Sequence, residues 1–126
     1  MKILIPILSR HENDELFLET ALSEASEVIL LVTIDGSALV GKFGFVASEL
    51  SAGSKIMESL AKQLRARKMK VDECVEWGDT TTKISQLAQV KKADKIVLQN
   101  QQNQYFERLV LTLEKELSKK VRVQII

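Results

Sequence analysis

The chain has one cysteine, Cys74, and one histidine, His11. A lone thiol cannot close a disulfide within the chain, and one Cys with one His excludes nearly every Cys/His metal site. Proline is as scarce, with Pro6 alone. Long apolar runs are missing. The longest, Val28-Ile29-Leu30-Leu31-Val32, falls far short of the roughly 20 residues a membrane-spanning helix needs, so no membrane span is expected. Charge of one sign is missing too. The 18 Lys and Arg balance 17 Asp and Glu to a net +1, which favours neither nucleic acid nor an acidic membrane as partner. After Lys2 the chain runs straight into Ile3-Leu4-Ile5 with no signal-peptide cleavage region, so a cytoplasmic protein is expected.

A length of 126 residues fits one domain, 1–126, with a real core. Hydrophobic residues at 45% and charged residues at 28% exclude a disordered chain. Five apolar runs have strand length: Ile3 to Leu8, Val28 to Ile34, Val71 to Val75, Ile96 to Leu98 and Val121 to Ile126. The first, second and fourth are nearly continuous in Ile, Val and Leu, which predicts burial on both faces in the centre of a parallel sheet. The third and fifth alternate apolar with charged or polar residues, as edge strands do. Pro6 cannot donate a ladder hydrogen bond, so it is expected where the first strand ends.

Helical spacing fills the gaps. Leu18, Ala21, Leu22 and Ala25 recur at i, i+3, i+4, i+7, with Asn13, or Ser9 and Glu12, as candidate caps. Leu50, Gly53, Met57, Leu60, Ala61 and Leu64 mark the longest helix, expected over Ala47 to Lys68. Ile84, Leu87 and Ala88 mark a short one that Thr80, Thr81 or Thr82 could cap. Phe106, Leu109, Val110, Leu113 and Leu117 mark the last, with Asn103 as its cap. The order βαβαβαβαβ with right-handed crossovers places helices on both faces of one parallel sheet. Ligands in such sheets bind at the carboxyl ends of the strands, where strand order reverses.

Other motifs are weaker. Gly36 to Phe43 nearly matches a P-loop, but Phe43 stands where Ser or Thr must hold magnesium, so a crossover loop is expected. The amide run Gln99 to Gln104 reads either as a polar ligand-reading loop or as a solvated one. Ser9, His11 and Asp14 lie close in sequence without the geometry a triad needs. Cys74 reads as a small, at least half-buried hydrophobe. The basic cluster Lys62, Arg65, Arg67, Lys68 and Lys70 reads as a solvated helix end.

The stretch Glu76-Trp77-Gly78-Asp79-Thr80, followed by Ile84, Ala88 and Ala93-Asp94-Lys95-Ile96-Val97, resembles the "G-D-P … I … A … A-D-L-I-V" run of the universal stress protein family. Ile3-Leu4-Ile5-Pro6-Ile7 is similar to its "I-L-V-P-V", and Leu30-Leu31-Val32-Thr33-Ile34 to its "L-L-H-V-I". The resemblance spans the chain. It implies a three-layer α/β/α, Rossmann-like domain of the adenine nucleotide alpha hydrolase kind, with a five-stranded parallel sheet of order 3-2-1-4-5. It also implies a homodimer in which the last strands pair antiparallel, here through Val121, Val123 and Ile125.

For one branch of the family the resemblance implies ATP at the first and fourth strands. There an Asp two residues after the Pro meets the adenine, and a "G-x-x-G … G-[S/T]" segment wraps the phosphates. In this sequence Leu8 stands at the Asp position, Gln99 and Gln102 at the two glycines, and Leu109-Val110 near the later Gly-Ser. Gly78 and Asp79 match. The candidate ligand-binding residues are therefore Pro6, Leu8, Thr33, Gly78, Asp79, Gln99 and Gln102. Glycine lets backbone N–H groups approach a phosphate, and a glutamine side chain fills that space. Leu8 cannot accept a hydrogen bond from an adenine amino group. The expectation is a homodimeric regulatory or binding module with no catalytic residue, no metal and no ATP held in the usual manner. The alternative is a nucleotide-binding stress protein or weak ATPase with ATP or AMP in an altered pocket. An adenylylating or electron-transfer relative should carry a glycine-rich loop after the first strand, and Ser9-Arg10-His11 is not one.

Overall fold

The computed structural model describes residues 1–35, 43–117 and 120–126. Ten elements follow in order: β1 (Lys2–Pro6), α1 (Glu15–Ala21), β2 (Glu27–Ile34), a 3₁₀ turn (Ala47–Glu49), α2 (Leu50–Ala66), β3 (Lys70–Trp77), α3 (Thr80–Val90), β4 (Lys95–Leu98), α4 (Gln104–Leu117) and β5 (Arg122–Ile125). The strands form one parallel sheet of order β3-β2-β1-β4-β5. The two alternating strands take the edges and the three continuous ones the centre, as their patterns require.

Each central strand sends alternate side chains to opposite faces. Ile3, Ile5, Val28, Leu30 and Val32 pack under α1 and α2 with Phe17, Leu18, Leu60 and Leu64. Leu4, Ile29, Leu31, Ile96 and Leu98 pack under α3 and α4 with Ile84, Ala88, Leu109 and Leu113. No helix among the described residues is long and apolar enough to cross a membrane.

The register explains Pro6. The Ile7 N–H donates to the Leu31 carbonyl, so alternate N–H groups of β1 face β2 and the Pro6 nitrogen faces β4. Pairing of β1 with β4 stops at Leu4–Ile96, two residues earlier. Proline therefore sits where the two strands part, and no ladder bond is lost. That parting is the crevice at the topological switch point.

The same bookkeeping applies to β5. The Arg122 and Ile126 N–H groups donate to Asp94 and Leu98 of the β4 segment. Val123 and Ile125 therefore present their main-chain N–H and C=O groups outward. Val121 precedes the strand, and its side chain is buried in the α3/α4 core at 6% exposure, in one cluster with Leu117 and Ala93.

Several ends differ from the sequence expectation. Asp14, not Asn13 or Ser9, caps α1 by accepting from the Phe17 N–H at 3.2 Å. Asp79, not a threonine, caps α3 by accepting from the Thr82 N–H at 3.0 Å and its hydroxyl at 2.9 Å. The long helix starts at Leu50 after the 3₁₀ turn and ends at Ala66. Asn103 does cap α4, accepting from the Phe106 N–H at 2.8 Å.

Candidate functional site

The crevice between β1 and β4 is crossed by side chains. The Ser9 hydroxyl, in the loop after β1, is hydrogen-bonded to the Gln99 side-chain amide, in the loop after β4. Behind it Glu12 is almost wholly buried, 1% exposed. Its Oε2 accepts from the Leu8 N–H at 3.1 Å and the Ser9 N–H at 2.9 Å and lies 2.8 Å from the Ser9 hydroxyl, whose one proton it shares with the Gln99 side-chain oxygen. A carboxylate gathering backbone N–H groups makes strong charge-assisted bonds and fixes the loop that carries Ser9. Gln99 thus occupies the crevice and is tied in place.

Leu8 is half-buried against the α3/α4 core. Outside the Ser9–Gln99 bridge a cavity of about 380 Å³ is bordered by Leu8, Arg10, Phe43, Gln101, Asn103 and Tyr105. Arg10 is already engaged there. Its guanidinium grips Glu49 at 3.0 and 3.2 Å and stacks 4.2 Å above the Phe45 ring. That contact holds the Glu49 carboxyl below its usual range, the Arg10 hydrogen bond being the largest cause.

The other candidate residues have internal duties. Thr33 is buried and its hydroxyl lies 2.8 Å from that of Thr80, which donates to the Phe43 carbonyl at 2.9 Å. Because Thr80 gives its one proton to Phe43, Thr33 is the donor between them. Thr33 therefore ties β2 to the start of α3. Gly78 has φ +141°, a conformation that favours glycine, and its N–H donates to Ile34 at 2.9 Å. It turns the chain so that Asp79 can cap α3. Gln102 is exposed and lies away from Gln99, bordering an open groove of about 810 Å³ beside β5 with Phe106, Val110, Leu111 and Ile125. The two glutamines are thus not brought together. Pro6 ends β1 at the mouth of the crevice.

The P-loop-like run falls mostly on residues 36–42, outside the described residues. Phe43 packs edge-on against Phe106, ring centroids 6.3 Å apart, and Phe45 bridges to Ile34 beside β2. The chain after Phe43 is therefore not the helix a P-loop needs. Asp14 is committed to α1, which separates it from any role with His11. Cys74 is half-buried and burial, then Asp72, pushes its thiol up to about 11.

Sequence reasoning missed Glu12 as a buried anchor and Ser9 as the partner of Gln99. The available signal was Ser9-x-x-Glu12, a capping-box spacing standing before the helix start. It missed also that Arg10, Phe43 and Tyr105 wall the crevice.

A parallel α/β/α sheet with a crevice at its switch point places the chain among Rossmann-like domains. No protein-family model and no curated protein matches the sequence. Solved structures do match. A universal stress protein family member from Burkholderia pseudomallei superposes with TM-score 0.68 at 17% identity, over 99% of this chain and 94% of that one. A universal stress protein in complex with cAMP gives 0.67 at 14%, over 100% and 95%. One from Arabidopsis thaliana with AMP bound gives 0.62 at 11%, over 99% and 91%. The fold is that of the universal stress proteins.

Proposed function

We propose that the chain is a universal stress protein-like regulatory or binding module that acts as a cytoplasmic homodimer and does not hold ATP in that family's usual manner. The observation that carries this is the Ser9–Gln99 bridge across the β1/β4 crevice, backed by buried Glu12. A triphosphate entering there must displace a tied glutamine and finds Leu8 where a hydrogen-bond acceptor is wanted. The homodimer is supported by β5, an edge strand whose Val123 and Ile125 turn unpaired main-chain groups outward. Ile125 adds an apolar side chain that is 43% exposed. The test is a titration with ATP, AMP and cAMP followed by thermal unfolding. Ligand at about 100 times its Kd stabilises by roughly 2.7 kcal/mol, so a flat response is expected and a clear rise overturns the reading.

A second reading, a nucleotide-binding stress protein or weak ATPase with an altered pocket, is favoured by the AMP and cAMP named in neighbouring structures. In that case AMP or cAMP alone raises the unfolding temperature while the dimer is unchanged.

A further inference from the structure

β3 ends the sheet on the side opposite β5. The Lys70 and Gly78 N–H groups donate to Ser26 and Ile34 beside β2. Even-numbered residues of β3 therefore turn their main chain inward, and Val71, Glu73, Val75 and Trp77 turn theirs outward. Arg65 takes the Val71 carbonyl at 3.4 Å. The outward groups of Glu73, Val75 and Trp77 have no partner among the described residues. Nothing on the strand blocks a further one: its register with β2 is unbroken from Lys70 to Trp77, without proline or bulge.

The two faces of this edge differ in chemistry. Val71 packs with the α1/α2 core and Cys74 with the α3/α4 core. By alternation, Glu73, Val75 and Trp77 lie on the α2 side and Asp72 and Glu76 on the α3 side. The α2 side is apolar and open. Val75 is 37% and Trp77 57% exposed, although their β2 neighbours Val32 and Ile34 are fully buried. Glu73 is spent there on Arg65 at 3.1 Å. The α3 side is acidic. Lys91 answers Asp72 at 2.8 Å, while Glu76 makes no ion pair or side-chain hydrogen bond among the described residues. A second copy of β3 fits poorly. In an antiparallel pair centred on Glu73 that residue faces itself, and centred on Cys74 Asp72 faces Glu76. Centred on Val75, the two copies of Glu76 lie on one diagonal, and like charges so placed repel. A basic strand meets no such conflict. We propose that the β3 edge takes an extended basic segment of a partner protein as an added strand, its apolar residues beside Val75 and Trp77 and its lysines or arginines beside Asp72 and Glu76. This rests on the reading of the chain as a binding module and names its partner class. The ATP response and the β5 dimer are read by other measurements, so either reading can fail alone.

The test is a titration of the full chain with a capped six-residue peptide of alternating lysine and valine, read by the fluorescence of Trp77, the only tryptophan. A blue shift that saturates with a Kd on the order of 10–100 μM is expected. The peptide of alternating glutamate and valine should bind at least about tenfold more weakly. The fully N-methylated lysine–valine peptide, which has no N–H to give, should not bind below about 1 mM. Val75→Pro removes an outward N–H and no ladder bond, so it should keep the parent's far-UV circular dichroism and lose the peptide. Glu76→Gln should weaken binding about threefold. No saturation by about 1 mM overturns the proposal. So does equal binding of the glutamate or the N-methylated peptide, or a folded Val75→Pro variant that binds as before. A Trp77 shift that follows protein concentration alone, and is lost in Val75→Pro, overturns it in favour of a second copy.

Discussion

Removing the Glu12 side chain should loosen the loop that closes the crevice. The backbone N–H groups of Leu8 and Ser9 converge on its Oε2. Glu12→Ala leaves both N–H groups without that acceptor in a partly buried place. An unsatisfied buried donor costs about 1–3 kcal/mol, and part-burial puts the pair near 2–3 kcal/mol in all. For a urea slope near 1.5 kcal/mol per M, the midpoint should fall by roughly 1.5–2 M. Glu12→Gln keeps one carbonyl oxygen for the same donors and should cost about 1 kcal/mol, the part owed to charge assistance. The assay is urea unfolding followed by far-UV circular dichroism, with Ser9→Ala as a companion. An Ala variant as stable as the parent would mean that Glu12 anchors nothing, and the tied-glutamine argument would lose its support.

Val123→Pro deletes an outward N–H and should yield a folded monomer in sedimentation, whereas Gln124→Pro deletes an inward ladder bond and should destabilise the fold itself. Asp79→Ala should cost about 1 kcal/mol through loss of the α3 cap, and Asp79→Asn much less, both read by thermal unfolding. Lys91, 2.8 Å from Asp72, holds that carboxyl below its usual range, and Asp72 in turn raises Lys91. Stability from the lowered Asp72 is complete above the usual carboxylate value and is lost as pH falls through the lowered one. Stability from the raised Lys91 is complete below the usual lysine value and is lost as pH rises through the raised one. The pair is roughly 40% exposed, 39% and 42%, so the effect is small, and Asp72→Asn should remove it from an acid unfolding series. With its thiol near 11, Cys74 should react slowly with a thiol reagent at pH 8 and faster as pH approaches that value.

The sheet was legible because burial on two faces leaves a mark no surface strand carries. Val28 to Ile34 could only be a central strand. Edge strands are less marked, and β3 runs two residues past its apolar stretch, through Glu76 to Trp77, because pairing with Thr33 and Ile34 extends it. Caps were legible in type and not in place. Asn13 and Asp14 are equally competent by chemistry, and tertiary contacts choose between them. The site was legible in position and not in content. Glutamate is seldom buried, so residue type places Glu12 at the surface, and only the Ser9-x-x-Glu12 spacing announces its bonds to Leu8 and Ser9. Gln99 and Gln102 share a residue type and a loop, yet one faces Ser9 and the other the β5 groove. Val121 continues the alternation of β5 but precedes it, and its burial depends on α4 lying above.

The closing of the crevice is tested most directly by titrating ATP into the labelled protein and following the amide and side-chain signals of Leu8, Ser9 and Gln99. No saturable change at those positions is expected. Saturation at those residues, with the Gln99 signal released, would contradict the account.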